Sequence, residues 1–382
     1  MPVDKETCCG CSACASVCSR GAIEMVFDEL GFLYPQVSED KCIQCGHCEK
    51  VCPVNAERSN DHQRNEILEA YAVRHREKRE VETSRSGAAF IAITDRVLQD
   101  GGVVYGAAYG NHFRVIHKRA TNREQRNEFK GSKYTQSDLR GIYRQVLDDL
   151  QHGLSVAFSG TPCQTAAVRN TIPLKYRDHL LLIDIICHGV ASPRVWGDYL
   201  KVLEKIENNH LVAVDFRDKQ LFGWSGLHRE SFTYADGLQM TYSKTFYQPF
   251  LIRRSCNRCP YASYHRPSDL TLGDFWGWER VVPQMNRDDK GLSLVLCHTK
   301  KGLRSLTEVQ TSADIVPVSV ESCLQPNLQH PTAIDSLRDQ FEEEYGSEGF
   351  EKIYEKYFKE RGLTWLKWYL KSCAVRVKHH IC

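Results

Sequence analysis

The chain has 382 residues, a formal net charge of +2 and 42% hydrophobic residues. That is enough for more than one domain, with no charge excess that would select nucleic acid as a partner. No apolar run reaches the roughly 18 residues that a membrane span needs, and seventeen cysteines with no secretory leader before them argue against a disulfide framework and for the cytoplasm.

Nine cysteines lie in the first 52 residues, and eight of them spell one spacing twice: Cys8, Cys11, Cys14, Cys18 and then Cys42, Cys45, Cys48, Cys52, followed by Pro53. C-x-x-C-x-x-C-x-x-x-C holds a [4Fe–4S] cubane in bacterial-type ferredoxins, where the fourth cysteine ligates the other cluster. One cluster is therefore assigned to Cys8, Cys11, Cys14 and Cys52, the other to Cys42, Cys45, Cys48 and Cys18. Zinc prefers two separated pairs of ligands and fits interlocked runs poorly. Small residues such as Gly10, Ser12, Ala13 and Gly46 let backbone N–H groups approach the sulfurs, which tunes the potential. Cys9 is a ninth, spare thiol, and Ser19 stands where proline is often found. The two runs repeat at an interval of 34, with a strand-like alternation at Ile23, Met25 and Phe27 and a second extended piece from Leu33 between them.

Two charged stretches, 56–70 and 74–86, read as a linker. After them FIAITDRVLQDGG predicts a helix, VVYGAAY and FRVIHKRA strands, LRGIYRQVLDDLQHG a helix with a glycine stop, and LSVAFSG and LLLIDIIC buried strands. SPRVWGDYLKVLEKIENN predicts a helix with Ser192 as N-cap and Pro193 at its first position. From Leu211 to about Tyr247 the period shifts towards two, an antiparallel extension; beyond Ser336 the chain reads as helical. The expected fold class is α+β: a ferredoxin-like 2[4Fe–4S] module (1–58), a linker (59–86), an α/β core with a mixed sheet (87–335) and a helical tail (336–382). In the tail Leu366, Tyr369, Leu370, Cys373 and Val377 share one helical face, for a membrane surface or, more simply, for docking on the protein itself.

The apolar strands end in small-residue loops carrying reactive atoms: SGTPCQ (159–164) and, after LLLIDII, Cys187-His188-Gly189. Ligands of open α/β sheets bind at such carboxyl ends. Together with GSKYTQS (131–137), DIICHGVASP (184–193), CNRCPY (256–261) and DLTLGDFWG (269–277), these segments resemble the family of coenzyme F-420 (deazaflavin) hydrogenase/dehydrogenase beta subunits, in the same order along the chain. TSRSGA (83–88) resembles that family's flavin loop, with Ala88 where a second glycine is usual. The resemblance implies an FAD-binding core. It places the flavin on Ser84, Ser86, Gly87, Ser132, Lys133, Tyr134, Gln136, Ser137, Thr161, Gln164 and Asp274, with Trp276 as a further site candidate. It also implies a cluster in the core, for which Cys163, Cys187, Cys256 and Cys259 are the four thiols. The rival reading makes Cys163 and Cys187 buried small hydrophobes and the Cys256–Cys259 pair half of a zinc site. His188 is a candidate proton donor, because imidazole titrates near neutrality; a structural histidine bonded to a loop carbonyl is the alternative. Cys297, Cys323, Cys373 and Cys382 show no ligand pattern.

The functional expectation is an iron–sulfur flavoprotein reductase. It takes electrons from a ferredoxin or similar carrier and passes them through two module cubanes and a third core cluster to FAD and an organic acceptor. Members of the resembled family are associated with cell-surface polysaccharide synthesis, among other roles. The alternatives are a relay protein that feeds a partner and a binding protein that keeps its clusters for structure.

Overall fold

A computed structural model describes residues 4–55, 65–225, 229–242, 248–359 and the positions 362, 363, 366 and 370. In the N-terminal module the hairpin of β1 (Ile23–Phe27) and β2 (Leu33–Val37) is antiparallel, with Ile23 opposite Val37. Two short helices, Ala13–Ser16 and His47–Val51, carry the cysteine loops. The repeat is visible in the backbone. Gly10 and Gln44 share left-handed φ values of 65° and 53°, and Ser12 and Gly46 share 67° and 72°. At each of these paired turns one repeat uses glycine, for which that conformation carries no steric cost.

The remaining strands are β3 (Glu69–His75), β4 (Val103–Tyr109), β5 (Val115–Ala120), β6 (Val156–Gly160), β7 (Leu180–Ile185), β8 (Leu211–Asp215), β9 (Glu230–Tyr234), β10 (Gln239–Tyr242), β11 (Leu270–Asp274), β12 (Ser293–Cys297) and β13 (Ala313–Val318). Eight of them form one sheet in the order β13-β3-β12-β11-β7-β6-β4-β5. β4, β6, β7 and β11 run parallel, and antiparallel strands flank them on both sides. The sheet is mixed, as expected, and its central strands are nearly continuous apolar runs because helices cover both faces. Helices Ala89–Gln99 and Lys300–Thr307 pack on one face with Val104, Ile183 and Val295. Helices Ile142–Gln151 and Pro162–Thr171 pack on the other with Tyr105, Phe158 and Leu182, where Cys11, Ala13 and Val51 of the module join the same cluster. The edge strand β13 carries Pro317, which an edge tolerates since it needs no ladder donor there.

β8, β9 and β10 form the expected antiparallel extension. It packs with helix Pro193–Glu207, whose N-cap Ser192 Oγ accepts from the Val195 N–H at 3.0 Å. Helix Leu337–Ser347 contributes Phe341 to the same aromatic cluster. The tail is helical where described. Leu366 and Leu370 are exposed, while Tyr369, Cys373 and Val377 lie outside the described residues, as does Cys382. No helix among the described residues is long and apolar enough to cross a membrane.

One expectation changes. Residues 59–86 do not form a solvated linker throughout: Glu69–His75 is β3, an interior strand of the sheet with Ala70, Ala72 and Val73 buried. The signal was a short Ala/Val alternation hidden among charges. β11, β12 and β13 are further strands beyond those the sequence predicts.

Candidate iron–sulfur and cofactor sites

Cys8, Cys11, Cys14 and Cys52, the set assigned to one cluster, line one small cavity with Cys9, Gly10, Ser12, Met25 and Pro35. The Gly10 N–H points at the Cys8 sulfur at 3.4 Å. Burial drives the Cys14 thiol up to about 12; such buried thiols ionise only against a cation. In the second set Cys18 and Cys48 flank the small apolar cluster of Ile23, Met25 and Leu33. The Ala22 N–H approaches Cys18 Sγ at 3.3 Å. Cys42 is half-buried and Cys45 exposed, so this set faces solvent.

The module is clamped to the core through its backbone. Arg253, 1% exposed, donates from Nε to the Cys8 carbonyl at 2.7 Å and from Nη2 to the Leu33 carbonyl at 2.9 Å, with its guanidinium 4.1 Å from the Tyr34 ring centre. Gln136 Nε2 donates to the Cys9 carbonyl at 2.8 Å, and Tyr143 OH to that of Cys11 at 2.6 Å. Gln136 therefore sits at the module interface and does not line the large cavity described below.

Three loops bring the core thiols together. β6 runs into helix Pro162–Thr171, opened by a reciprocal capping box of Thr161 and Gln164. Cys163 thus sits in the first turn, where the helix dipole favours a thiolate. Cys187 follows β7, with the Gly189 N–H at 3.4 Å from its sulfur. Cys256 and Cys259 sit in and just after the turn Arg254–Arg258. All four line one cavity with Cys9 and Arg253. Burial is the main cause that pushes Cys187, Cys256 and Cys259 up to about 12, and neighbouring core thiols add to it. Among the described residues no three candidate ligands converge on a point as a single ion requires. The four thiols instead line a shared cavity.

A second observation fits an anionic cluster. Arg266 is 1% exposed, and its Nε, Nη1 and Nη2 have no hydrogen-bond partner among the described residues. It lies 3.9 Å from the Asp184 carboxylate and near enough to Cys187 and Cys259 to favour their thiolates. A buried guanidinium left without acceptors is costly; a thiolate-ligated cluster beside it would supply negative charge.

The largest cavity at the carboxyl ends of the parallel strands holds about 420 Å³, within the range of cofactor sites. Ser84, Ser86, Ser132, Lys133, Tyr134, Ser137, Thr161, Gln164, Asp274, Trp276 and His188 all line it. Gly87 does not. A Cβ there would meet the Val73 carbonyl at 2.3 Å and the Ser293 nitrogen at 2.6 Å, so this glycine serves the close approach of β3 and β12. Ser84 Oγ and Arg85 Nε are buried with no partner among the described residues, and both residues face this cavity, as a ligand's polar atoms would require. Arg85, the arginine of TSRSGA, and Arg217, which no motif surrounds, also line it and are not among the residues expected from sequence.

The remaining candidates have partners already. Lys133 donates to the carbonyls of Lys130 at 2.9 Å and Gly131 at 3.4 Å, and burial lowers its pKa to about 8. Asp274 is ion-paired with Arg217 and accepts from Trp224 Nε1 at 3.2 Å. Trp276 stacks on Trp224 with ring centres 4.8 Å apart. His188 stacks on Tyr134 at 5.2 Å, and burial lowers its pKa. Ser137 Oγ bridges His117 Nδ1 and Gln164 Nε2, each at 2.9 Å. Cys297 and Cys323 are buried, each within an apolar cluster.

Residues 153–321 match the family model for the C terminus of the coenzyme F420 hydrogenase/dehydrogenase beta subunit, and residues 7–56 match the 4Fe-4S dicluster domain. Residues 153–321 therefore belong with the C terminus of that beta-subunit family. Its N-terminal module is a 4Fe-4S dicluster domain, an iron–sulfur electron-transfer unit. Over 214 residues the chain is 21% identical to a subunit of the F(420)H(2) dehydrogenase of Methanosarcina mazei, an alignment covering 52% of this chain and 60% of the relative's length. Over 54 residues, 14% of this chain, it is 41% identical to an uncharacterized ferredoxin of Methanocaldococcus jannaschii and covers 69% of it. A chain in the F420-reducing [NiFe] hydrogenase complex from Methanosarcina barkeri aligns with a TM-score of 0.47 at 17% identity, covering 76% of this chain and 93% of that one.

Proposed function

We propose that this protein is an iron–sulfur electron-transfer subunit with a third [4Fe–4S] cluster on Cys163, Cys187, Cys256 and Cys259 and FAD in the cavity beside it. The observation that carries the reading is a shared wall: Thr161, Gln164, Cys187, His188 and Gly189 line both the thiol cavity and the 420 Å³ cavity. A ferredoxin-type carrier would meet the module at its solvent-facing set, near exposed Cys45. From there the path runs inward to Cys8, Cys11, Cys14 and Cys52, and then to the core.

Bound there, FAD would convert single electrons to pairs. The chain's own residues would do the rest. Ser84, Ser86, Ser132 and Arg85 would receive phosphate and ribose oxygens. Trp276 would cover a flat ring, and Lys133 would supply charge by releasing its carbonyl bonds. His188, kept neutral by burial, would hold a proton next to the ring. Asp274 would act through Arg217, which it fixes in the cavity wall.

Two readings of the two-electron end differ in class. Relay to a partner polypeptide is favoured because the dehydrogenase relative is by name a subunit. Under that reading, a deazaflavin of the F420 type would be the two-electron carrier. A self-contained reductase with its own organic acceptor is the second. Neither the family match nor the relatives point to polysaccharide chemistry.

The test is composition. Anaerobically purified protein should hold about twelve irons, release FAD on boiling, and lose about four irons in Cys163→Ser. About eight irons, unchanged by that substitution, would remove the core cluster; a flavin-free supernatant from protein loaded with excess FAD would remove the flavin. Turnover of an organic acceptor by the chain alone would favour the self-contained enzyme over the relay.

A further inference from the structure

Four hydrogen bonds close the turn between β6 and helix Pro162–Thr171, and the direction of each is determined. The Ser159 carbonyl can only accept, so His117 Nε2, 3.0 Å away, carries the imidazole proton. Burial keeps His117 neutral by lowering its pKa to about 4, which leaves Nδ1 as the acceptor for the Ser137 hydroxyl at 2.9 Å. Ser137 Oγ in turn accepts from Gln164 Nε2 at 2.9 Å. At the other end the Thr161 N–H can only donate, and Gln164 Oε1 receives it at 2.9 Å. A backbone acceptor and a backbone donor thus fix the two ends of the chain, and the imidazole tautomer and amide orientation between them follow.

The chain ends beside a core thiol. Thr161 Oγ1 lies 3.2 Å from Cys163 Sγ, and against a sulfur bound to iron, which can only accept, the hydroxyl is the donor. The surroundings are tight. A Cβ on Gly160 would meet Gln164 Oε1 at 2.9 Å. The His117 ring stacks on Phe158 with centres 5.2 Å apart, and its backbone N–H donates to the Asp138 carbonyl at 3.0 Å. Thr161 and Gln164 line both the thiol cavity and the 420 Å³ cavity, whereas buried His117 lines neither.

We propose that His117 is a positioning residue for the core cluster site: through Ser137 and Gln164 it fixes Thr161, whose hydroxyl donates to the Cys163 sulfur and holds up the potential of the site. The inference rests on the core cluster proposed above. A hydrogen bond to a ligating sulfur favours the reduced, more negative cluster, so losing the donor lowers the midpoint. Without Nδ1 the Ser137 hydroxyl has no buried acceptor and turns on Gln164. The amide must then present Oε1 to Ser137, and the Thr161 N–H loses its own acceptor. Side-chain networks of this kind fail as a unit, and here the unit ends at the residue that holds the donor to Cys163.

The experiment uses the full chain, purified anaerobically, as wild type, Thr161→Val, His117→Phe and the double variant. Iron is counted, and the core midpoint is read by potentiometric titration with electron paramagnetic resonance, on the signal that Cys163→Ser removes. Thr161→Val keeps the shape and loses the hydroxyl, and should shift the midpoint downward. His117→Phe keeps the stack on Phe158 and loses both nitrogens, and should shift it the same way but less far. The double variant should go no lower than Thr161→Val alone, because contacts that act through one another are not additive. His117→Asn, whose amide oxygen can accept from Ser137 where Nδ1 stood, should return much of the shift. A wild-type midpoint in His117→Phe, or additive shifts in the double variant, would overturn the proposal. Ser137→Ala breaks the same chain by one atom, so a wild-type midpoint there overturns it even where His117→Phe fails to fold or to hold its iron. A wild-type count of about eight irons would instead fail the core-cluster reading on which this one stands.

Discussion

In the module each cysteine run lies on one loop, turned by left-handed backbone at Gly10, Ser12, Gln44 and Gly46, and the apolar cluster beneath buries Cys14, Ile23, Met25 and Leu33. In the core the four thiols come from three loops far apart in sequence, carried to one place by β6, β7 and the turn at 254–258, over a sheet with apolar clusters on both faces. A site made by one loop can be spelled in a few residues, but the loop has little core of its own and leans on what it binds and on the clamp from the sheet domain. A site made by a sheet keeps its scaffold without its cargo. The two regions should therefore respond differently to metal, mutation and acid.

Iron removal should separate them most. Chelation under anaerobic conditions is expected to abolish hydrogen-exchange protection across 8–52, because cluster binding there is folding energy, while β6, β7 and β12 stay protected. Equal loss in both regions would mean that the sheet, too, depends on its cluster.

Breaking the clamp comes next. Arg253→Ala leaves the carbonyls of Cys8 and Leu33 without their donor, and an unpaired buried polar group costs about 1–3 kcal/mol. The module should exchange and be cleaved by protease faster by an amount corresponding to about 3 kcal/mol, with the sheet's own stability little changed. Unchanged proteolysis would show that Tyr143, Gln136 and apolar packing suffice.

Acid should act on the core. Burial lowers His117 to about 4, with Ser137 Oγ at Nδ1 and the Ser159 carbonyl at Nε2. Unfolded, it would titrate near about 6.5. Above that pH neither state binds the proton. As pH falls from about 6.5 towards 4 the unfolded state takes it up and the folded state does not, so stability is lost, by about 3 kcal/mol in full. The urea midpoint of the sheet should drop over that window, and His117→Gln should flatten the dependence. An unaltered slope would assign the acid loss elsewhere, with His298, lowered by burial to about 3, the next candidate.

The smallest effect is a gain. Ala88 caps helix Ala89–Gln99 with a left-handed φ of 62°, which a Cβ makes unfavourable by about 1–2 kcal/mol. Ala88→Gly should relieve that strain, offset by the freedom glycine adds to the unfolded chain, for a net gain of up to about 1 kcal/mol in the core and none in the module. A loss of stability would show that the Ala88 methyl packs usefully at the cavity wall.

What could be read from residues alone was whatever depends on near neighbours. The module's cluster runs, their 34-residue repeat, the Ser192 cap and the strands at β4, β6 and β7 all follow from spacings of a few positions, and the backbone obeys them. β3 escaped because its alternation of Ala70, Ala72 and Val73 is weak against the surrounding charges; only pairing with β12 and β13 makes it an interior strand. Gly87 and Gln136 carried family motifs but were claimed by other partners, a strand crossing and the module clamp. Arg217 and Arg266 have no local signature, since a buried guanidinium is placed by what surrounds it. Cys9 shows the same division: its presence is written in the sequence, but its position between two sets of thiols exists only because Arg253 and Gln136, more than a hundred residues away, hold its backbone against the sheet.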